Sequence, residues 1–298
     1  MIVILGTLLA GVLGLAFGSF LNVCASRWPD NRSARKGRSH CQGCQRQLEW
    51  WENVPLISWL ALRGRCRTCK AAIGWRHLIV ELAVGILWSG TVLQFFLLNP
   101  APDVHSLTYT INLANLLAAL GFEWLLVGLA AIDAENLWLP DLLILPGLAL
   151  GFLLTITRAV LQSIQQIGGG FDVLKHMVFL AMVNWFLSAV AAAAVALVIR
   201  WIYIMFRDQE GLGMGDVKLL AMLGGWIGFK PAMLAFAIGV FACAGYAVSI
   251  LAKPEMRANK KEWTKIALPF GSFISAGGII AGIWGIPLIA AYSRWAGY

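Results

Sequence analysis

Apolar residues run through this chain in long blocks, each close to the roughly 20 residues that cross a hydrocarbon core. Eight such blocks are expected as spans, at about 2–22, 78–98, 108–131, 140–158, 176–199, 217–231, 232–251 and 270–292. The sixth is short and glycine-rich from Leu223 to Gly228, so the pattern defines its ends least sharply. Met1-Ile-Val-Ile-Leu has no basic residues ahead of the first block, and the basic residues follow it instead. That order argues against a cleaved signal peptide, and the block is expected to persist as a helix.

Composition agrees. Of the 298 residues, 59% are hydrophobic and 13% charged, which leaves too little polar surface to cover a water-soluble core of this size. The expectation is an all-α polytopic membrane protein with about eight transmembrane helices. It divides into a first transmembrane helix (1–22), a loop carrying a small four-cysteine module (23–77) and a transmembrane core (78–298).

Charge adds an orientation. With eight spans, the segments 23–77, 132–139, 200–216 and 252–269 share one side and hold 18 of the 23 Lys and Arg residues. The positive-inside rule then places the long loop in the cytoplasm and both termini outside. The net charge of +8 is therefore a topology signal rather than a mark of nucleic-acid binding. Basic loops beside a bilayer also attract anionic lipid headgroups.

The long loop contains Cys41-Gln-Gly-Cys44 and Cys66-Arg-Thr-Cys69, with 21 residues between the pairs. Two CxxC knuckles supply the four thiolates of a closed tetrahedral zinc site. Some fifty residues make too small a core to fold well alone, so a metal would contribute much of the loop's folding energy. Arg38, Arg46, Arg65, Arg67 and Lys70 would offset the negative charge of the centre. A redox dithiol needs one CxxC rather than two, and a cytoplasmic loop does not favour stable disulfides. Cys24 and Cys243 read as small buried hydrophobes. His40 adjoins Cys41 but four thiols fill the site, while His77, His105 and His176 fall at span ends.

Carboxylates at bilayer depth are costly and so point to a cavity or to chemistry. Asp133 closes the third span, Asp141 follows Pro140 at the start of the fourth, and Asp216 opens the sixth within Gly211-Leu-Gly-Met-Gly-Asp216. A helical bundle brings Asp133 and Asp216 together across 83 positions, and two adjacent carboxyls sharing a proton are the chemistry of an aspartic peptidase. Helix-start roles compete for Asp141 and Asp216, and Asp133 reads equally as an interfacial carboxylate. Glu81 and Glu123 lie inside spans as candidate proton-relay or bundle-bridging groups. A proton-coupled transporter and a non-catalytic zinc-module anchor are the rival classes; no internal repeat supports the transporter.

Several blocks together resemble the bacterial type IV prepilin peptidases, GxGD-type membrane aspartic peptidases. They are Gly18-Ser-Phe-Leu-Asn22, the two cysteine pairs, Trp51-Glu-Asn-Val-Pro-Leu-Ile-Ser58, Lys70-Ala-Ala-Ile-Gly74 and Val80-Glu-Leu-Ala83. Ile132-Asp133 with Leu139-Pro-Asp141, Gly213-Met-Gly-Asp-Val-Lys-Leu-Leu-Ala-Met-Leu-Gly224 and Pro269-Phe-Gly271 complete the series. The resemblance implies an endopeptidase of the bacterial cytoplasmic membrane that removes the basic leader of prepilins or pseudopilins after a glycine, at the cytoplasmic face. It implies Asp133 and Asp216 as the catalytic pair and Asp141 as a supporting carboxylate. It also implies methylation of the new N-terminus with S-adenosylmethionine, associated with the cysteine-bearing loop. No glycine-rich nucleotide loop following a strand is visible to place that donor. Glu49, Glu52, Glu135, Asp208 and Glu210 are the expected contacts for a basic leader.

Overall fold

The computed structural model describes residues 1–29, 33, 39–41, 43–100, 105–167, 171–207, 211–252 and 267–297. Arg38, Asp208 and Glu210 lie outside the described residues. Among those described the chain is helical, with no strand and only two isolated bridges, His40 to Gln47 and Arg65 to Ala72. The helices are α1 (Ile2–Arg27), α2 (Ile57–Ala61), α3 (Trp75–Leu98), α4 (Leu107–Asn136), α5 (Asp141–Ile167), α6 (Phe171–Arg207), α7 (Met214–Ile227), α8 (Phe229–Leu251) and α9 (Phe270–Trp295). A single 3-10 turn covers Trp50–Asn53. All but α2 and α7 are long and apolar enough to cross a membrane, which gives seven candidate spans.

The sixth expected span departs from its sequence reading. Instead of 217–231 it is the 14-residue α7. At 1.5 Å per residue α7 is about 21 Å long, short of the roughly 30 Å hydrocarbon thickness. Gly228 ends it at φ +85, a conformation that favours glycine, and α8 starts at the next residue. Leu219, Leu220, Met222 and Leu223 are fully buried, so the apolarity of α7 faces protein.

The chain forms two compact units, 1–131 and 132–298, with α4 running through the division. In the first unit α1 packs on α3. A Cβ placed on Gly14 would lie 2.8 Å from the Gly85 Cα, and one on Gly18 would lie 2.7 Å from the Glu81 Cα, so only glycine permits this approach. Trp88 Nε1 donates to the Leu120 carbonyl and Trp124 Nε1 to that of Phe17, tying α4 to both helices. Glu123 is buried there and accepts from Thr91 Oγ1 at 2.5 Å, while its Oε2 has no partner among the described residues. In the second unit α7 packs against α5, α6, α8 and α9. That arrangement brings the start of α7 to the site described next.

Candidate active site and metal centre

Asp133 stands one turn before the end of α4. The chain then turns at Leu137, with φ +52 and its N–H donating to the Asp133 carbonyl, and α5 begins at Asp141 after Pro140. The Asp133 Oδ2 accepts from the Ser272 N–H at 2.6 Å and from the Ser272 hydroxyl at 2.9 Å. Ser272 lies in the first turn of α9, and its N–H is shared between the Pro269 carbonyl at 3.2 Å and Asp133, which acts as a cap supplied by a distant helix.

Asp216 lies in the first turn of α7, and its Oδ2 accepts from the Gly213 N–H at 3.1 Å. Arg200 secures the approach to this turn by donating to the Leu212 carbonyl. Both carboxylates are buried, at 5% and 9% exposure, and both line one cavity of about 290 Å³. Oδ1 of each accepts no hydrogen bond from the described residues. The structure thus brings together the two aspartates that the sequence left 83 positions apart.

Asp141 lines the same cavity but is otherwise engaged. Its carboxylate pairs with Lys218 Nζ at 2.7 and 2.8 Å, in a half-exposed ion pair joining the starts of α5 and α7. Leu139 fills the space beside the carboxylates. A Cβ on Gly215 would come within 3.0 Å of Leu139, and one on Gly271 within 2.7 Å of Leu139 and 3.1 Å of the Asp133 carboxyl. Sequence reasoning did not single out Ser272, Lys218 or Leu139, although each adjoins a motif it quoted.

The four loop cysteines converge. Their Sγ atoms lie within 4.8 Å of one another, with Cys41 and Cys69 at 3.6 Å. A tetrahedron with Zn–S near 2.3 Å has sulfur separations of about 3.8 Å, so the set fits zinc. The two knuckles repeat one design. Cys41 N–H donates to the Arg46 carbonyl and Gln45 N–H to that of Cys41; Cys66 N–H donates to the Ala71 carbonyl and Lys70 N–H to that of Cys66. Gln45 and Lys70 both take positive φ, 57 and 58, to close the turns.

Backbone N–H groups of Cys69 and Thr68 aimed at the Cys66 sulfur pull its pKa down to about 6, and those of Cys44 and Gly43 lower that of Cys41. These donors favour the thiolate, the ligand form, at Cys41 and Cys66, whereas at Cys69 the pull of the Ala71 N–H is outweighed by desolvation and the neighbouring sulfurs, which push the thiol up to about 11. Arg46 reaches Cys66 as well and donates to both oxygens of Glu52, at 2.9 and 2.7 Å. Glu52 is buried and also accepts from the Glu49 N–H, so it braces the module internally and is not the leader contact expected of it. That hydrogen bonding from Arg46 holds the Glu52 carboxyl below its ordinary pKa. Arg67 lies over the Trp51 ring at 5.7 Å. Glu49 is exposed and Glu135 half-buried; Cys24 and Cys243 are buried, as expected.

A second cavity of about 270 Å³ lies within the first unit, bounded by α1, the cysteine-bearing segment and the start of α3. Glu81 lines it and accepts from the Leu56 N–H at 2.8 Å. Ser19 and Asn22 line the same cavity, and Asn22 Nδ2 donates to the His77 carbonyl at 2.9 Å. Three of the sequence blocks quoted above therefore line one cavity.

Comparison with known proteins follows the same division. Residues 12–95 match the bacterial peptidase A24 N-terminal domain, and residues 119–248 match the type IV leader peptidase family. A prepilin leader peptidase/N-methyltransferase of Burkholderia pseudomallei strain 1026b is 34% identical over 301 residues, covering 93% of this chain and 84% of that protein. Proteins of the same description from Stutzerimonas stutzeri and Pseudomonas aeruginosa are each 32% identical, covering 97% and 96% of this chain and 94% and 93% of theirs. No solved structure matches the chain.

Proposed function

We propose, for a chain that belongs to the type IV leader peptidase family, a bifunctional enzyme of the bacterial cytoplasmic membrane. It cleaves the basic leader from prepilins or pseudopilins at the cytoplasmic face and methylates the new N-terminus. The observation that carries the peptidase half is the pair of buried carboxylates, Asp133 and Asp216, lining one cavity.

Two carboxyls held so close do not both ionise readily, so one keeps a proton while the other is a base. The base takes a proton from a water whose oxygen attacks the scissile carbonyl carbon. The acid gives its proton to the departing amine as the C–N bond breaks. Hydrogen bonds to Oδ2 fix both carboxyls on helix starts, which leaves Oδ1 of each for this traffic. Leu139 walls the cavity beside them, in keeping with a scissile residue that has no side chain. Asp141 and Lys218 serve as a supporting pair that holds the start of α5 to that of α7.

Cys41, Cys44, Cys66 and Cys69 would hold zinc, which would cross-link the two knuckles and supply folding energy rather than chemistry. S-Adenosylmethionine, when bound, would supply an electrophilic methyl group for the new N-terminal amine. The deciding experiment incubates purified protein and its Asp133→Asn and Asp216→Asn variants with a prepilin, and reads the product N-terminus by mass spectrometry. Leader removal by wild type and by neither variant is expected. Cleavage by either variant at near wild-type rate would remove that residue from the assignment.

A further inference from the structure

We infer that the cavity between α1, α3 and the cysteine-bearing segment is the binding site for the methyl donor S-adenosylmethionine, with Glu81 meeting its positive charge. The inference rests on the methyltransferase half of the reading above. A volume of about 270 Å³ lies just below the roughly 300–1,000 Å³ of cavities that enclose ligands of this size, so part of the ligand would extend through the open side of the cavity. Its lining has the required mixture: the Trp59 ring, Leu62 and Ile73 are apolar, while Ser19, Asn22 and Glu81 are polar.

Charge is the more specific argument. Two carboxylates line the cavity, and their situations differ. Glu52 is neutralised by the two-point pair with Arg46. Glu81 is only 8% exposed and accepts from the Leu56 N–H, yet no Lys, Arg or His side chain among the described residues pairs with it. Buried carboxylates are ordinarily paired, because a lone charge out of water is costly. The Leu56 N–H occupies one of the roughly four lone-pair directions of this carboxylate, so most of its acceptor capacity faces the cavity. A ligand bearing a sulfonium and an ammonium supplies the missing cation.

The opposite wall suits the rest of that molecule. Trp59 is fixed by its Nε1 donating to the Ile73 carbonyl at 3.3 Å, so its ring is a set surface for a purine to stack on and for a sulfonium to approach. S-Adenosylmethionine carries no phosphate. Its site therefore has no need of the glycine-rich loop and helix N-terminus that cradle nucleotides, the signal sought in the sequence.

The test uses calorimetric titration of the purified full-length protein with S-adenosylmethionine and with S-adenosylhomocysteine, which lacks the sulfonium charge. One site per chain is expected. Glu81→Gln should weaken S-adenosylmethionine about tenfold or more, the loss of one charge-assisted contact, and S-adenosylhomocysteine, which keeps the ammonium but not the sulfonium, clearly less. Since Glu81 also holds Leu56, a second variant guards against simple unfolding. Ser58→Phe adds a ring to the wall at a hydroxyl that makes no hydrogen bond among the described residues, and it should weaken both ligands while zinc content and melting temperature hold. Wild-type affinity in both variants would overturn the placement. If wild type also methylates a trimmed prepilin, that outcome overturns the placement alone. Wild type that neither binds the donor nor methylates would overturn the methyltransferase reading with it.

Discussion

The four-cysteine centre and the aspartate pair solve opposite problems. The cysteines come from 29 consecutive positions, and each knuckle is closed by its own local backbone hydrogen bonds. The aspartates come from the end of α4 and the start of α7, and Asp133 is steadied by a serine 139 positions away. The first site is local and needs a ligand to finish it; the second is finished only by the packing of whole helices. Damage to the first should therefore spread through its loop, whereas at the second a change that keeps the hydrogen-bonding oxygen, Asp to Asn, should be confined to chemistry.

The largest expected effect tests that confinement. Asp133→Asn and Asp216→Asn should each lower leader cleavage by about 100-fold or more, the usual worth of a proton-transferring group. Zinc content and the melting temperature should stay near wild type. Asp133→Asn should also still methylate a prepilin trimmed beforehand to its mature N-terminus. Loss of both reactions with folding intact would mean one shared site.

The converse comes next. Cys41→Ser combined with Cys44→Ser should abolish stoichiometric zinc by elemental analysis and raise protease sensitivity in the loop. Methylation should fall at least as far as cleavage, because Cys41 and Cys66 line the second cavity. Chelator-free wild-type protein without one zinc per chain would break the comparison at its root.

A smaller effect sharpens it. Ser272→Ala removes the hydroxyl donor but leaves the backbone N–H, and a hydrogen bond to a charged group is worth about 1.5–3 kcal/mol. The turnover number should fall roughly ten- to a hundredfold with KM little changed, and Ser272→Thr should restore it. An unchanged turnover number would reduce Ser272 to packing. Smallest of all, Asp141→Asn breaks a half-exposed ion pair worth about 0.2–1 kcal/mol. Leader cleavage should drop only a few-fold in the same assay.

The contrast between the sites also explains what the sequence revealed. Cysteine spacing is local information, and the knuckles lie where it pointed. The long spans were legible because crossing a bilayer takes a fixed length of apolar chain, although α6 extends well beyond the expected 176–199. Window hydropathy does not distinguish an apolar face turned to lipid from one turned to protein, so α7 passed for a full span. Motifs named Asp133, Asp141 and Asp216 but carry no distances. The pairing of Asp141 with Lys218, the capping by Ser272 and the burial of Glu52 against Arg46 depend on which helix ends meet. Lys218 and Ser272 could have been suspected, since each immediately follows or belongs to a quoted block.

One contact has a practical consequence for genetics at this locus. Because Asp133 holds the first turn of α9 through Ser272, position 133 serves two masters, hydrolysis and architecture. Asparagine keeps an oxygen for the Ser272 N–H and removes only the ionisable group, whereas alanine removes both. An inactive alanine variant would report a loosened α9 and a missing base in one reading, with no means of telling them apart. Residue 133 therefore tolerates only one kind of informative loss of function, and a scan relying on alanine alone would mistake a doubly committed residue for a purely catalytic one.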